Sequence, residues 1–199
     1  MKILIATNNR GKLSEFNKIL GELGIECISL SDMGINADIA ETENSFLGNA
    51  RLKATEIYKI AKMPVISDDS GLVVDALNGE PGVLSARYSG ENATDDQNIE
   101  KLLFKLKDIS KENRTARFKS VVYFVLDDNT EIYAEGSCEG IILTEKQGSN
   151  GFGYDPVFFT EKFGKSFAEL SDDQKNSISH RSNAVSALKA KVSEALLSD

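Results

Sequence analysis

Three short segments hold most of the residues in this chain that could do chemistry: TNNRGK at Thr7–Lys12, SDDSG at Ser67–Gly71 and GFGYDP at Gly151–Pro156. The first follows an apolar stretch and combines hydroxyl, amide and ammonium donors from Thr7, Asn8, Asn9 and Lys12. Gly11 gives its backbone freedom to curl. Donors of this kind at the start of a helix suit an anion, because the first-turn N–H groups lack partners within the helix. The second segment places two carboxylates, Asp68 and Asp69, at the end of a predicted strand, where oxygen ligands of this type suit magnesium. The third offers aromatic rings at Phe152 and Tyr154 for stacking and an acid, Asp155, for an N–H edge, between glycines that permit close backbone approach. Together the three read as one nucleotide-hydrolysing site.

Each segment also has a plainer reading. TNNRGK can be a capped strand-to-helix turn, SDDSG a solvated Asp-Asp turn, and GFGYDP an ordinary turn with a buried aromatic. The Walker A pattern is absent, since Leu13 follows the lysine where Ser or Thr would bind magnesium. Adjacent strand residues point to opposite faces, so Asp68 and Asp69 share a site only if the chain bends, a role the sequence offers to Ser70 and Gly71. The sole histidine, His180, lies in SHRSNA with no Gly-x-Ser-x-Gly elbow, which argues against Ser-His-Asp hydrolysis. In the run Lys175–Ala184, His180 and Arg181 can donate to a ring carbonyl, or Ser179 can cap a helix beside exposed charges.

The elements that must position these residues follow from periodicity. Lys2 to Ala6 predicts a strand, followed by a helix with Leu13, Phe16, Leu20 and Leu23 at helical spacing. Ile25 to Leu30 predicts a second strand. Asn44 to Lys62 predicts a helix buried through Phe46, Ala50, Ile57 and Ile60 and ended by Pro64. Pro64 to Ile66 reads as a strand feeding SDDSG, and Thr94 to Lys107 as a helix with Ile99, Leu102, Leu103 and Leu106 on one side. The β-rich run from Thr115, the turn Asp127 to Thr130 and Glu131 to Ala134 predict a long hairpin. A further strand is expected at Gly140 to Leu143, and a C-terminal helix burying Val185, Leu188, Val192 and Leu196. Strands alternating with helices and then pairing as a hairpin imply an α/β protein with a long mixed β-sheet covered by helices.

Composition narrows the function classes. The 199 residues, 41% of them hydrophobic, suit one globular domain spanning 1–199. A formal net charge of −8 argues against a broad grip on DNA or RNA, since such binding is driven by Lys and Arg displacing counterions. A small polyanion remains accessible if a few cations are focused at one place. There is no apolar run long enough for a membrane span, and Met1 to Ala6 lacks signal-peptide character, so a soluble cytoplasmic protein is expected. Cys27 and Cys138 lie far apart without a Cys-x-x-Cys or Cys/His cluster, which points to neither zinc nor a disulfide framework.

Taken in order, TNNRGK with Glu15 three residues on, SDDSGLVVDALNGEPGVLSARYSG, GFGYDPVF and KNSISHRSNA resemble the inosine triphosphate pyrophosphatase family, the Ham1-like XTP/dITP diphosphatases. The resemblance covers nearly the whole chain. It implies an elongated two-lobed α/β fold with a central cleft, a homodimer, and Mg²⁺-dependent hydrolysis of non-standard purine nucleoside triphosphates (ITP, dITP, XTP) to the monophosphate and pyrophosphate. Carried over residue by residue, it makes Thr7, Asn8, Asn9, Arg10, Gly11 and Lys12 the triphosphate loop, Asp69 the general base and a metal ligand, and Ser70 a substrate contact. Phe152, Gly153, Tyr154, Asp155, Lys175, His180 and Arg181 correspond to nucleotide-binding positions, with Phe152 the stacking ring. Glu41 in the ETENSF stretch corresponds to an acidic region that helps hold magnesium. The chain departs from many relatives in having Ala40 beside Glu41 and Gly48 before Asn49, where acids are common. Asp68 and Lys53 are further candidates for the metal and a phosphate. A Maf-like pyrophosphatase acting on pyrimidine triphosphates, and a non-enzymatic nucleotide-binding module, are the competing readings.

Overall fold

The computed structural model describes residues 1–22, 24–37 and 39–197, with the backbone alone for 193–197. Leu23 and the side chain of Leu196, both expected on buried helix faces, lie outside the described residues. Among the described residues, seven strands form one mixed sheet in the order β2-β1-β3-β4-β5-β6-β7. They are β1 (Lys2–Ile5), β2 (Glu26–Ser29), β3 (Val65–Val74), β4 (Thr115–Val125), β5 (Glu131–Ile142), β6 (Phe158–Thr160) and β7 (Lys165–Ser166). The helices are α1 (Arg10–Gly21), α2 (Phe46–Ala61), α3 (Asp95–Lys105), α4 (Asp172–Asn176) and α5 (His180–Leu197). Among the described residues, no helix is long and apolar enough to cross a membrane.

The chain divides into two compact units, the first comprising Met1–Asp69, Ser120–Gly136 and Arg181–Asp199, the second Ser70–Lys119 and Ser137–His180. In the first, β1 pairs in parallel with β2 (Lys2 opposite Glu26) and with β3 (Leu4 opposite Val65). Strand alternation sorts the side chains into two cores. Ile3, Ile5, Ile66, Val122 and Phe124 pack with Phe16, Leu20, Val185 and Leu188, whereas Leu4, Ala6, Val65, Val121, Tyr123 and Val125 pack with Ala50, Ala54 and Ile57. Helices α1 and α5 therefore cover one face of these strands and α2 the other. Because both faces are covered, the run Val121–Val125 is buried throughout, as its unbroken apolar sequence requires.

In the second unit, β6 pairs antiparallel with β5 and with β7. Its core gathers Leu72, Ile99, Leu102, Leu106, Phe118, Tyr154, Phe158 and Phe167. Helix α3 begins with a capping box, in which the Thr94 hydroxyl accepts from the Gln97 N–H and the Gln97 side chain accepts from the Thr94 N–H.

Three predicted elements differ from the structure. Strand β3 runs straight through SDDSG to Val74 instead of stopping before a bend, because residues 68–69 find their charge partners elsewhere in the chain. The strand expected separately at Gly140 to Leu143 is the far end of β5. Ile60 is 57% exposed, since α2 reaches its left-handed C-cap at Lys62 and turns this last-turn position toward solvent.

Candidate active site

In the first unit, β1 ends at Ile5 and the chain turns into α1. The Thr7 hydroxyl accepts from the Asn9 N–H at 3.2 Å, and the Asn9 side chain caps the helix by accepting from the Lys12 N–H at 3.1 Å. Asn8 donates its amide to the Ala37 carbonyl at 3.3 Å. Arg10 is exposed at the first helical position. Gly11 is the second residue of α1, so the curl expected of it is made by the Asn9 cap instead. The first turn thus directs the Arg10 and Gly11 N–H groups outward.

Lys12 reaches Asp68, its Nζ 3.2 Å from Oδ2. The same carboxylate oxygen accepts from Arg181 Nη2 at 3.1 Å and Nε at 3.3 Å, and Arg181 also pairs with Glu15. Arg181 is 1% exposed. Burial pulls its guanidinium down to about 9, which leaves it charged at neutral pH. The expected donation from Arg181 to a ring carbonyl is replaced here by ion pairs with Asp68 and Glu15, a natural outcome for a buried cation that must be neutralised. Burial also holds Lys12 below its usual value, against the pull of Asp68.

Asp69 faces the α2 side. Its Oδ2 accepts from Asn49 Nδ2 at 3.1 Å, and its Oδ1 lies 3.5 Å from Lys53 Nζ. Lys53 Nζ is also 2.8 Å from Glu41 Oε1. Burial raises the Asp69 carboxyl above the ordinary range, with Lys53 and Lys12 opposing and Glu41 adding to the rise. Burial acts to lower Lys53, but Asp69, Asp68 and Glu41 outweigh it and hold its ammonium above its normal value. Among the described residues, no three of His, Cys, Asp and Glu are gathered as a metal cluster. Glu41 and Asp69 nonetheless form a pair of hard oxygen donors with a cation already between them. That donor set fits a Mg²⁺ ion that retains waters and takes its remaining oxygens from phosphate.

Ser70 follows in β3 as the first residue of the second unit, half-buried. In that unit the GFGYDP loop is held by its own acid. Asp155 Oδ2 accepts from the Phe152 N–H at 3.0 Å and from Lys175 Nζ at 2.6 Å. With the carboxylate buried and committed in this way, Asp155 orders the loop rather than presenting itself to an N–H edge. Gly151, at φ 78°, has no room for a side chain, because a Cβ there would stand 2.0 Å from Asp155 Oδ2. Gly153, at φ 60°, donates its N–H to Asp95 at 2.7 Å. Tyr154 is a core ring whose hydroxyl donates to the Ser85 carbonyl, so of the two rings expected to stack only Phe152 lies half-buried outside the core. The Lys175 ammonium lies 4.8 Å from the Phe152 ring centroid, and His180 stacks on Phe118 at 4.8 Å and 18°.

Asn49, Asp95 and the contacts of Ser67 and Glu15 emerge only in the structure. Asn49 carried one signal: it lies four residues before Lys53, which puts both on the same face of α2, and it is a polar residue between apolar helix positions.

The model of the Ham1 family matches residues 3–191. The chain is 46% identical to the dITP/XTP pyrophosphatase of Halalkalibacterium halodurans over 185 residues, 93% of this chain and 95% of that protein. It is 44% identical to the dITP/XTP pyrophosphatase of Bacillus anthracis over 200 residues, covering 100% of this chain and 99% of that one. The solved structure of the Staphylococcus aureus Ham1 protein superposes with a TM-score of 0.85 at 43% identity, covering 98% of this chain and 99% of that one. A HAM1 protein from Coxiella burnetii gives 0.86 at 38% identity, with the same coverage. A family match along nearly the full length makes this chain a member of the Ham1 family.

Proposed function

We propose that the chain is a Mg²⁺-dependent pyrophosphatase that hydrolyses ITP, dITP and XTP to the nucleoside monophosphate and pyrophosphate, working as a homodimer in the cytoplasm to clear these nucleotides from the pool. The observation that carries the reading is the environment of Asp69, a carboxylate oriented by Asn49, flanked by Lys53 and raised in proton affinity by burial. A carboxylate fixed in this way can hold a water and receive its proton. The names of the relatives, dITP/XTP pyrophosphatase, support the substrate class.

In this reading Asp69 orients one water for in-line attack on the α-phosphorus and accepts its proton, while the bond from that phosphorus to the bridging oxygen of the leaving pyrophosphate breaks. Lys12 and the first-turn N–H groups of α1 bind the triphosphate and stabilise charge gathering on pyrophosphate. Glu41 and Asp69 would hold the magnesium, which supplies charge neutralisation on the phosphate oxygens. Phe152 stacks on the base, and Lys175 and His180 donate toward the carbonyl at its six-position, where adenine carries an amino group. An adenine there turns an amino donor toward these donors in place of an acceptor, which disfavours ATP.

Pyrophosphate release from ITP, XTP, dITP, ATP, GTP and dTTP, with and without Mg²⁺, tests this. Metal-dependent turnover confined to the inosine and xanthosine nucleotides is the expected result. Equal turnover of ATP and ITP, or preference for dTTP, would overturn it.

A further inference from the structure

Asn49 is fully buried, at the fourth position of α2 after the Ser45 cap. Asparagine is a poor choice there, since its helix propensity is low and a buried amide costs free energy unless it is bonded. Both ends of the amide are used. Oδ1 accepts the Glu43 N–H at 2.9 Å, and Nδ2 donates to Asp69 Oδ2 at 3.1 Å. A backbone N–H can only donate and a carboxylate can only accept, so the group between them must accept on one side and donate on the other.

These contacts close a ring. Asp69 binds Asn49, Asn49 binds Glu43, the chain runs two residues back to Glu41, Glu41 binds Lys53, and Lys53 returns to Asp69. Gly48 belongs to the same arrangement, because a Cβ there would come within 2.7 Å of Glu43 Cβ and push residue 43 off the helix. The platform beneath is fastened separately: the buried Ser67 hydroxyl, two residues before Asp69, donates to the Ala50 carbonyl of α2.

We infer that Asn49 is a positioning residue that locks Asp69 and the segment carrying Glu41 into one arrangement, so that the two carboxylates receive a divalent cation together. This rests on the functional reading above and deepens it. Groups that orient metal-binding carboxylates typically contribute 10- to 100-fold in metal affinity or activity.

The test measures Mn²⁺ binding to the full, nucleotide-free chain by electron paramagnetic resonance, hydrogen exchange at the Glu43 amide, and kcat and KM for ITP. The variants are Asn49→Leu, which keeps the shape, and Ser67→Ala as a control that removes a neighbouring buried hydrogen bond without touching Asp69. Expected for Asn49→Leu are about 10- to 100-fold weaker Mn²⁺ binding, faster exchange at Glu43, and a fall in kcat with KM little changed. Ser67→Ala should lower Tm while leaving Mn²⁺ affinity intact. Should Asn49→Leu fail to fold, Asn49→Ala, which leaves room for water, carries the same expectations. Wild-type binding that neither Asn49 variant alters, or an equal loss in Ser67→Ala, would overturn the inference alone. A wild-type chain that binds no Mn²⁺ would overturn the metal reading and this inference with it.

Discussion

Asp68 and Asp69, neighbours on β3, are held from opposite faces of the sheet: Asp68 by Arg181 of α5 at 3.1 Å and Lys12 of α1 at 3.2 Å, Asp69 by Asn49 of α2 at 3.1 Å. A straight strand sends successive side chains to opposite sides, so a pair that looks redundant in the sequence is divided between two environments. Asp68 is the counter-ion of a buried arginine. Asp69 is held by a neutral amide, Asn49, with the Lys53 ammonium at 3.5 Å, and has a raised proton affinity.

Substitution should therefore separate the neighbours. Asp69→Asn is expected to lose roughly 10²-fold or more in turnover while the fold persists, the usual scale for a positioned base. Asp68→Ala strips Arg181 of a buried partner and should cost about 3 kcal/mol of stability. Steady-state turnover and urea denaturation on both variants check this, and a stable, active Asp68→Ala would refute the division.

Lys53 stands where a metal held by Glu41 and Asp69 would draw its charge. Its ammonium competes with a divalent cation for the same two carboxylates, so Lys53→Met should bind Mn²⁺ more tightly in the absence of nucleotide, by about tenfold on the scale of one close charge. Turnover should nonetheless fall, on the expectation that Lys53 is a phosphate contact. Weaker Mn²⁺ binding by that variant would show that Lys53 supports the metal instead of competing with it.

Gly151 is expected to tolerate no side chain. Gly151→Ala must adopt a left-handed backbone and push Asp155 off the Phe152 N–H, costing about 1–3 kcal/mol. Because that loop carries Phe152, the ring proposed to stack on the base, KM for ITP should rise more than kcat falls. Thermal denaturation with steady-state kinetics reads both effects.

The pH dependence of stability should reveal Asp155. Burial raises its folded-state pKa above the ordinary 3.8, although Lys175 opposes the shift. The sign follows from linkage: the unfolded chain releases this proton first, so the contribution is fully present below the unfolded pKa and is lost as pH rises through the folded one. Relative to wild type, Asp155→Asn should gain stability as pH climbs from 3.8 through the mildly acid range. Urea denaturation across that range measures the difference, and a difference of the opposite slope would mean that the Lys175 pairing dominates.

Much of this molecule was legible along the chain. The strand-loop-helix at Thr7, the helix expected over Thr94 to Lys107 and the doubly apolar strand at Val121–Val125 follow from local periodicity, which acts over a few residues. The order of the motifs likewise pointed to the family that the chain belongs to. Tertiary structure decided which charge neutralises which. Arg181 meets Asp68 across 113 residues of sequence, and Lys53 reaches back to Glu41 across 12 and forward to Asp69 across 16. It also decided that SDDSG continues a strand, that Asp155 turns inward to Lys175, and that Asn49 joins Glu43 to Asp69. Local pattern records which side chains can be buried, whereas a buried charge or amide is settled by whichever partner the fold brings within hydrogen-bond reach, and that partner is set by packing between distant segments.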